Sequence, residues 1–196
     1  KKALKLTETL EMPKPDKTKL RKWNFDTFKQ HETKGSAYEN LSELPESVKQ
    51  IIDVENSENL VIQHNNDLAY SQVSDQAKKD GVIIEGLSEA LVNHSELVQK
   101  YFMTKAVDID EHRLTALHTA LMNGGIFVYV PKNVVVEHPI QYVVLHDDDN
   151  ASFYNHVILV TEESAEVTYV ENYLSNANGE DNQINIRSEE RRVGKE

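Results

Sequence analysis

The chain has 196 residues, 39% of them apolar and 28% charged, a balance that supports a buried core and excludes a disordered chain. A formal net charge of −12 and a pI near 5.1 argue against nucleic acid and anionic membranes as partners, since both select basic patches. There is no cysteine, which excludes disulfides, thiolate nucleophiles and Cys-ligated metals within the chain.

Ala3, Leu6 and Leu10 recur at helical spacing and predict an opening helix. Met12-Pro13-Lys14-Pro15 ends it, because proline lacks an amide donor and restricts the residue before it. The basic cluster Lys14, Lys17, Lys19, Arg21 and Lys22 is interrupted by Pro15 and Asp16 and reads as a solvated linker. Trp23, Phe25 and Phe28 follow within 23–28, around Asp26. Aromatics this dense are expected to dock a loop onto the core. Pro45 at a helix start, with Val48, Ile51 and Ile52 on one side, predicts a short helix over 43–52.

Leu60-Val61-Ile62 reads as a strand, Asn65-Asn66-Asp67 as a tight turn and Leu68-Ala69-Tyr70 as the return strand. Val82-Ile83-Ile84 after Gly81 is a third strand. Leu87, Ala90, Leu91, Leu97, Val98, Tyr101 and Phe102 keep helical spacing, and Ser95 as an N-cap would divide them into two helices. Leu114, Leu117, Ala120 and Leu121 mark a further helix, stopped by Gly124-Gly125.

Beyond Gly125 the period changes to short β-rich runs at 126–130, 134–137, 141–146, 156–161 and 166–171. Pro131, Pro139, the 147–150 run and Glu162-Glu163-Ser164 separate them as turn formers or strand breakers. No helix-length segment intervenes, which argues against a doubly wound sheet and leaves a sandwich, a barrel or a solenoid open. The apolar runs are far shorter than the roughly 20 residues of a membrane helix. Lys1-Lys2 is followed by no apolar signal segment, so the cytoplasm is the expected compartment. The chain opens on lysine, and the natural protein is expected to begin earlier.

Eight histidines raise the question of a metal. His112 and His118, six apart on one helix, face different ways, and His118 beside Leu117 and Leu121 reads as a packed core histidine. His138, His146 and His156 could converge if strands stack, but no HxH or HExxH spacing is present. Asp147-Asp148-Asp149-Asn150 lacks the glycine and bidentate glutamate of a calcium loop and reads as a solvated hairpin tip. Scattered carboxylates allow glycosidase-like pairs without pointing to one. There is no GxSxG, P-loop or GxGxxG motif. No catalytic, cofactor-binding or metal residue is assigned.

The stretch over 114–134, a helix ending at Gly124-Gly125 and then Tyr129-Val130-Pro131, resembles the central signature of the SufB/SufD family. Val136-Glu137-His138-Pro139 continues that likeness, as do His156-Val157-Ile158-Leu159-Val160 and Ala165-Glu166-Val167-Thr168-Tyr169. The prolines and Trp23 within 13–28, with the lack of cysteine, resemble SufD-type members. The resemblance implies an α+β fold, with a partly helical N-terminal domain over 1–122 and the first rungs of a right-handed parallel β-helix (a β-solenoid) over 123–186. It implies a non-catalytic scaffold subunit of the SUF iron–sulfur cluster assembly complex, partnered by a SufB-type subunit and a SufC-type ATPase. The functional residues of such proteins lie in a C-terminal half this chain does not reach, so the fragment is expected to bind no cofactor and the Fe–S cluster belongs to the full complex. A β-solenoid carbohydrate-active enzyme and a generic interaction module are the rival readings. Residues 187–196 break the strand pattern, look like the translation of a sequencing adapter, and are expected to be a non-native tail.

Overall fold

β-Branched and aromatic residues fill the extended segments, because such side chains fit a pleated, half-buried surface. The computed structural model describes residues 1–20, 23–25, 27–31, 34–104, 106–149, 151–176 and 183–193. Of the expectations above, those on Arg21, Lys22, Asp26, Asn150 and residues 194–196 lie outside the described residues.

Eight strands occur among them: β1 (Asn59–His64), β2 (Asp67–Gln72), β3 (Ile83–Gly86), β4 (Gly124–Val130), β5 (Ile140–His146), β6 (Ser152–Thr161), β7 (Tyr169–Ser175) and β8 (Gln183–Arg192). They form two four-stranded sheets, ordered β2-β1-β5-β7 and β3-β4-β6-β8. The helices are α1 (Lys2–Thr9), α2 (Glu46–Lys49), α3 (Asp75–Lys79), α4 (Leu87–Asn93), α5 (Ser95–Tyr101) and α6 (Arg113–Leu121).

The expected right-handed parallel β-helix is corrected here. Parallel pairs join β1 to β5 to β7 and β4 to β6 to β8, but β2 and β3 run antiparallel to their neighbours. Both sheets are therefore mixed, and among the described residues no closed solenoid forms. The reason at β2 is local: Asn65 takes a φ of 56° in the two-residue turn, which folds β2 straight back on β1. The result is a mixed α/β arrangement, and strands from before and after residue 122 share both sheets.

The side-chain alternation of period two explains the layers. Val61, Tyr142 and Val144 from one sheet meet Ile126, Val128, Phe153 and Val157 from the other in a shared core. The opposite face of the first sheet, with Leu60, Ile62 and Val143, is covered by Leu44, Val48 and Ile52 around α2. The opposite face of the second, with Phe127, Ile158 and Val160, is covered by Leu87 and Ala90 of α4 and Val98 and Tyr101 of α5. Each fully buried side chain of this kind contributes on the order of 1.5–3 kcal/mol.

Several elements differ from their sequence-based expectation. The divided helix is real, but His94 is the N-cap and Ser95 the first helical residue of α5. The run at 134–137 makes only one isolated bridge, Val135 to Glu166, and the strand expected at 166–171 is β7, beginning at Tyr169. α3 was not predicted, although Ser74 accepts from the Ala77 amide as an N-cap and Lys78 and Lys79 close the last turn. β8 runs across Arg187 to Arg192, in parallel register with β6.

Candidate functional site

Gly124-Gly125, expected as a helix stop, opens β4 at the centre of the molecule. Gly125 has φ 150°, and a Cβ there would overlap the carbonyl oxygen of His156 on β6. A Cβ at Gly124 would strike the Gln63 side-chain amide. Gln63, on the inner face of β1 and only 4% exposed, reaches across the gap between the sheets. Its Oε1 accepts from the Gly125 N–H at 3.0 Å and its Nε2 donates to the Asn65 carbonyl at 2.8 Å.

Tyr142, fully buried on β5, places its hydroxyl 2.7 Å from Gln63 Oε1 and 3.0 Å from Asn155 Oδ1. A phenol carries one proton, so these two acceptors share it. Asn155 Nδ2 in turn donates to the Tyr173 hydroxyl at 2.9 Å. Burial pushes the Tyr142 and Tyr173 phenols well up from their ordinary value, so both stay neutral hydrogen-bonding groups. A cavity of about 240 Å³ beside this network is lined by Gln63, Leu68, Gly86, Leu87, Gly124 and Tyr142. Every strand that meets here is held to its neighbour through polar side chains, in a low-dielectric interior where each bond is hard to replace.

The histidines sort into separate places. His118 on α6 and His156 on β6 are both buried, with His118 Nε2 3.0 Å from His156 Nδ1. His156 Nε2 lies 2.7 Å from Glu189 Oε1 and donates to that carboxylate. Burial pushes His118 down to about 3, helped by the nearby His156, and it is neutral at physiological pH. His146 meets His31, not His156, at 3.5 Å. His138 stands apart beside Glu58, at 3.5 Å. His112 caps α6, its Nδ1 accepting from the Thr115 amide. The convergence of His138, His146 and His156 that strand stacking left open does not occur: His138 lies in the turn before β5, and His146 on β5 and His156 on β6 belong to different sheets.

The 147–149 run is solvated at Asp147 and Asp149, as expected, but it is no hairpin tip, because β5 and β6 belong to different sheets, and Asp148 is buried. Asp147 Oδ2 is 2.9 Å from His64 Nε2, and Asp147 Oδ1 accepts from Asn65 Nδ2 at 3.0 Å. Partial burial pushes Asp147 up, but the bonds from His64 and Asn65 outweigh it and the net shift is down. Trp23 stacks on Phe25 and is 63% exposed, Phe25 is half-buried, and Phe28, still 39% exposed, tilts against Tyr154, so the expected docking holds only in part. A groove of about 880 Å³ passes Trp23, Phe25, Pro13 and Arg113. Its Glu11 and Lys14 pair at the surface, and the central polar network lies elsewhere.

Among the described residues no group of three or more His, Asp or Glu side chains is arranged to hold a metal ion. The Gln63, Asn155 and Tyr173 roles were not found from sequence. A buried amide within an alternating strand is the signal that could have marked Gln63.

Residues 17–142 match the family described as SufBD protein N-terminal region. The chain is 47% identical over 188 residues to the iron-sulfur cluster assembly protein SufD of Bacillus subtilis (strain 168), covering 95% of the chain and 43% of that protein. It is 28% identical over 181 residues to an iron-sulfur cluster assembly SufBD family protein of Staphylococcus aureus (strain USA300), covering 87% of the chain and 38% of that protein. A protein of the same description from Staphylococcus haemolyticus (strain JCSC1435) is 29% identical over 182 residues. The chain thus spans about two fifths of the length of the curated relatives it matches.

Proposed function

The chain belongs to the SufBD family, and from that membership we propose that its parent protein is a scaffold subunit of the SUF iron–sulfur cluster assembly system. It acts beside a SufB-type paralogue and a SufC-type ATPase, as a non-catalytic member that supports cluster assembly. The observation that carries this reading is the similarity to the Bacillus protein along almost the whole chain. The structure adds a physical reason for a supporting role. Its polar interior is spent on tying two sheets together, with Gln63, Tyr142 and Asn155 all engaged with protein groups. In this reading the cluster is cargo of the assembled complex. No helix among the described residues is long and apolar enough to cross a membrane, and we place the protein in the cytoplasm on the strength of the family reading.

The test is co-purification of the whole parent protein with SufB-type and SufC-type subunits from the same source. A stable three-component complex is the expected result. A parent that binds neither subunit overturns the scaffold reading.

We also propose that residues 187–196 are foreign to the natural protein. The abrupt charged composition of the decapeptide supports this, and its ladder with β6 needs only extended backbone, while the buried Glu189 carboxylate, 2.7 Å from His156 Nε2 and accepting from the Met103 amide at 3.0 Å, stands against it. Reading the source DNA across codon 187 decides it. A frame departing from Arg-Ser-Glu-Glu is expected, and an unbroken one refutes the proposal.

A further inference from the structure

Asn123 stands at the entrance to β4 and pairs with β6 through its main chain and its side chain at once. Its amide donates to the Tyr154 carbonyl at 3.1 Å. Its Oδ1 accepts from the Tyr154 amide and its Nδ2 donates to the Ser152 carbonyl, each at 2.8 Å. The side-chain amide thus takes the place of a peptide group and lengthens the β4–β6 ladder by one step. Nδ2 also lies 3.3 Å from His31 Nδ1.

Position 123 therefore asks for a donor and an acceptor at one short reach. Aspartate has the length but no donor for the Ser152 carbonyl, and glutamine is a methylene too long. Position 124 asks for glycine, since a Cβ would strike the Gln63 amide and come within 3.1 Å of the Phe153 ring. Packing and hydrogen bonding together thus select the dipeptide in which an asparagine carboxamide is most readily lost. With no side chain on the residue that follows, the backbone nitrogen can reach that carboxamide freely.

We propose that Asn123-Gly124 is a one-way modification site, held shut by the clamp on β6 and consumed by water when the entrance to β4 opens. In the open form the Gly124 nitrogen gives up its proton to solvent base and bonds to Asn123 Cγ. The Cγ–Nδ2 bond breaks, and ammonia leaves with a proton from solvent. Water then opens the resulting imide ring at one of its two carbonyls. Cleavage at Cγ leaves aspartate in an unaltered main chain. Cleavage at the main-chain carbonyl leaves isoaspartate, with the chain running through Cβ and Cγ. In sum one water is consumed and one ammonia released, and nothing is oxidised or reduced.

Neither product can be clamped as before. Aspartate turns a carboxylate oxygen toward the Ser152 carbonyl, where a donor stood. Isoaspartate adds an atom to the main chain just before Gly125, whose fit against the His156 backbone leaves no slack. While the clamp is closed, both amide atoms are pinned to β6 and Cγ cannot swing onto the Gly124 nitrogen. The rate therefore follows the open fraction, as the exchange of protected amides does. Two hydrogen bonds and the adjoining ladder hold that fraction below about one in a hundred.

The test incubates the chain in mildly alkaline buffer made with heavy-oxygen water, folded and in urea, and follows the tryptic fragment 114–132 by mass spectrometry. Asn178-Gly179, the other dipeptide of this kind, falls in a different fragment and outside the described residues. Aspartate and isoaspartate carrying oxygen from water are expected at 123, formed at least about a hundredfold more slowly in the folded chain than in urea. Asn123→Asp, the product made in advance, should lower the folding equilibrium constant by about tenfold or more, because the Ser152 carbonyl loses its donor. Folded and unfolded rates that agree, or no product even in urea, would overturn the gated site. An Asn123→Asp chain as stable as the unaltered one would overturn the one-way step.

Discussion

Gly125→Ala is expected to lower stability by about 4 kcal/mol, the sum of roughly 1–3 kcal/mol of backbone strain and roughly 1–3 kcal/mol of overpacking. The φ of 150° is one that L side chains rarely adopt, and the new methyl would meet the His156 backbone at its carbonyl oxygen, carbonyl carbon and amide nitrogen. Backbone held in the β4–β6 ladder cannot step aside without breaking the register that joins Gly125 to His156. Gly124→Ala serves as the comparison. There the methyl would meet the end of the Gln63 side chain and, at 3.1 Å, the Phe153 ring, both of which can yield further than a ladder can. Urea melts of the two variants beside the unaltered protein check this. A loss at Gly125 below about 1 kcal/mol, or no larger than at Gly124, would show that the backbone there relaxes freely.

Gln63→Leu is expected to cost about 3 kcal/mol despite preserving volume, because it strips the Gly125 N–H and the Asn65 carbonyl of the partners shown for them. Each buried group left unsatisfied costs about 1–3 kcal/mol. The Tyr142 hydroxyl keeps Asn155, 3.0 Å away, and so is not orphaned. Tyr142→Phe alone should cost about 1–2 kcal/mol, since Asn155 loses a partner and Gln63 retains Gly125. The decisive measurement is the cycle. The double variant should lie about 1 kcal/mol or more closer to the unaltered protein than the two single losses added together, because the Gln63–Tyr142 bond is counted twice in that sum. Additivity within about 0.5 kcal/mol would mean that the two residues act independently across the sheets.

Much of the local structure could be read directly. Proline at 13 and 15 ends the opening helix, the Asn65-Asn66 turn reverses β1 into β2, and Gly124-Gly125 marks the change from helix to strand. Buried Phe127, Val128 and Val130 follow from a run whose alternate residues face opposite sides of one sheet. His118 beside Leu117 and Leu121 sits in the interior, where burial keeps it neutral. Missed elements were those with weak local signals or none. α3 has a Ser74 cap but Ala77 as its one apolar residue, too little for a periodic signal, and the 134–137 run has the residues of a strand but only one bridging partner.

The family resemblance was legible because a helix stop, a strand and a proline turn occur in fixed order within about twenty residues, a spacing preserved in the chain itself. The solenoid expectation failed for a physical reason of another kind. Strand composition reports that a segment is extended and which face is apolar, while parallel or antiparallel pairing depends on which segments meet, often far apart in sequence. β3 reads as an ordinary strand, and only its position beside β4 makes it antiparallel. The histidines make the same point. His31 and His146 are 115 positions apart, as His118 and His156 are 38, and no periodicity links them.

By itself, then, the sequence determined the helix and strand propensities, the apolar faces, the absence of cysteine chemistry and the family to which the chain belongs. Those properties reside in single residues or short spacings. The mixed sheets, the Gln63–Tyr142–Asn155 tie and the pairing of His118 with His156 were decided only by tertiary structure. Each is a contact between distant residues, formed when burial of the two sheets brings their polar groups into an interior where they must find one another.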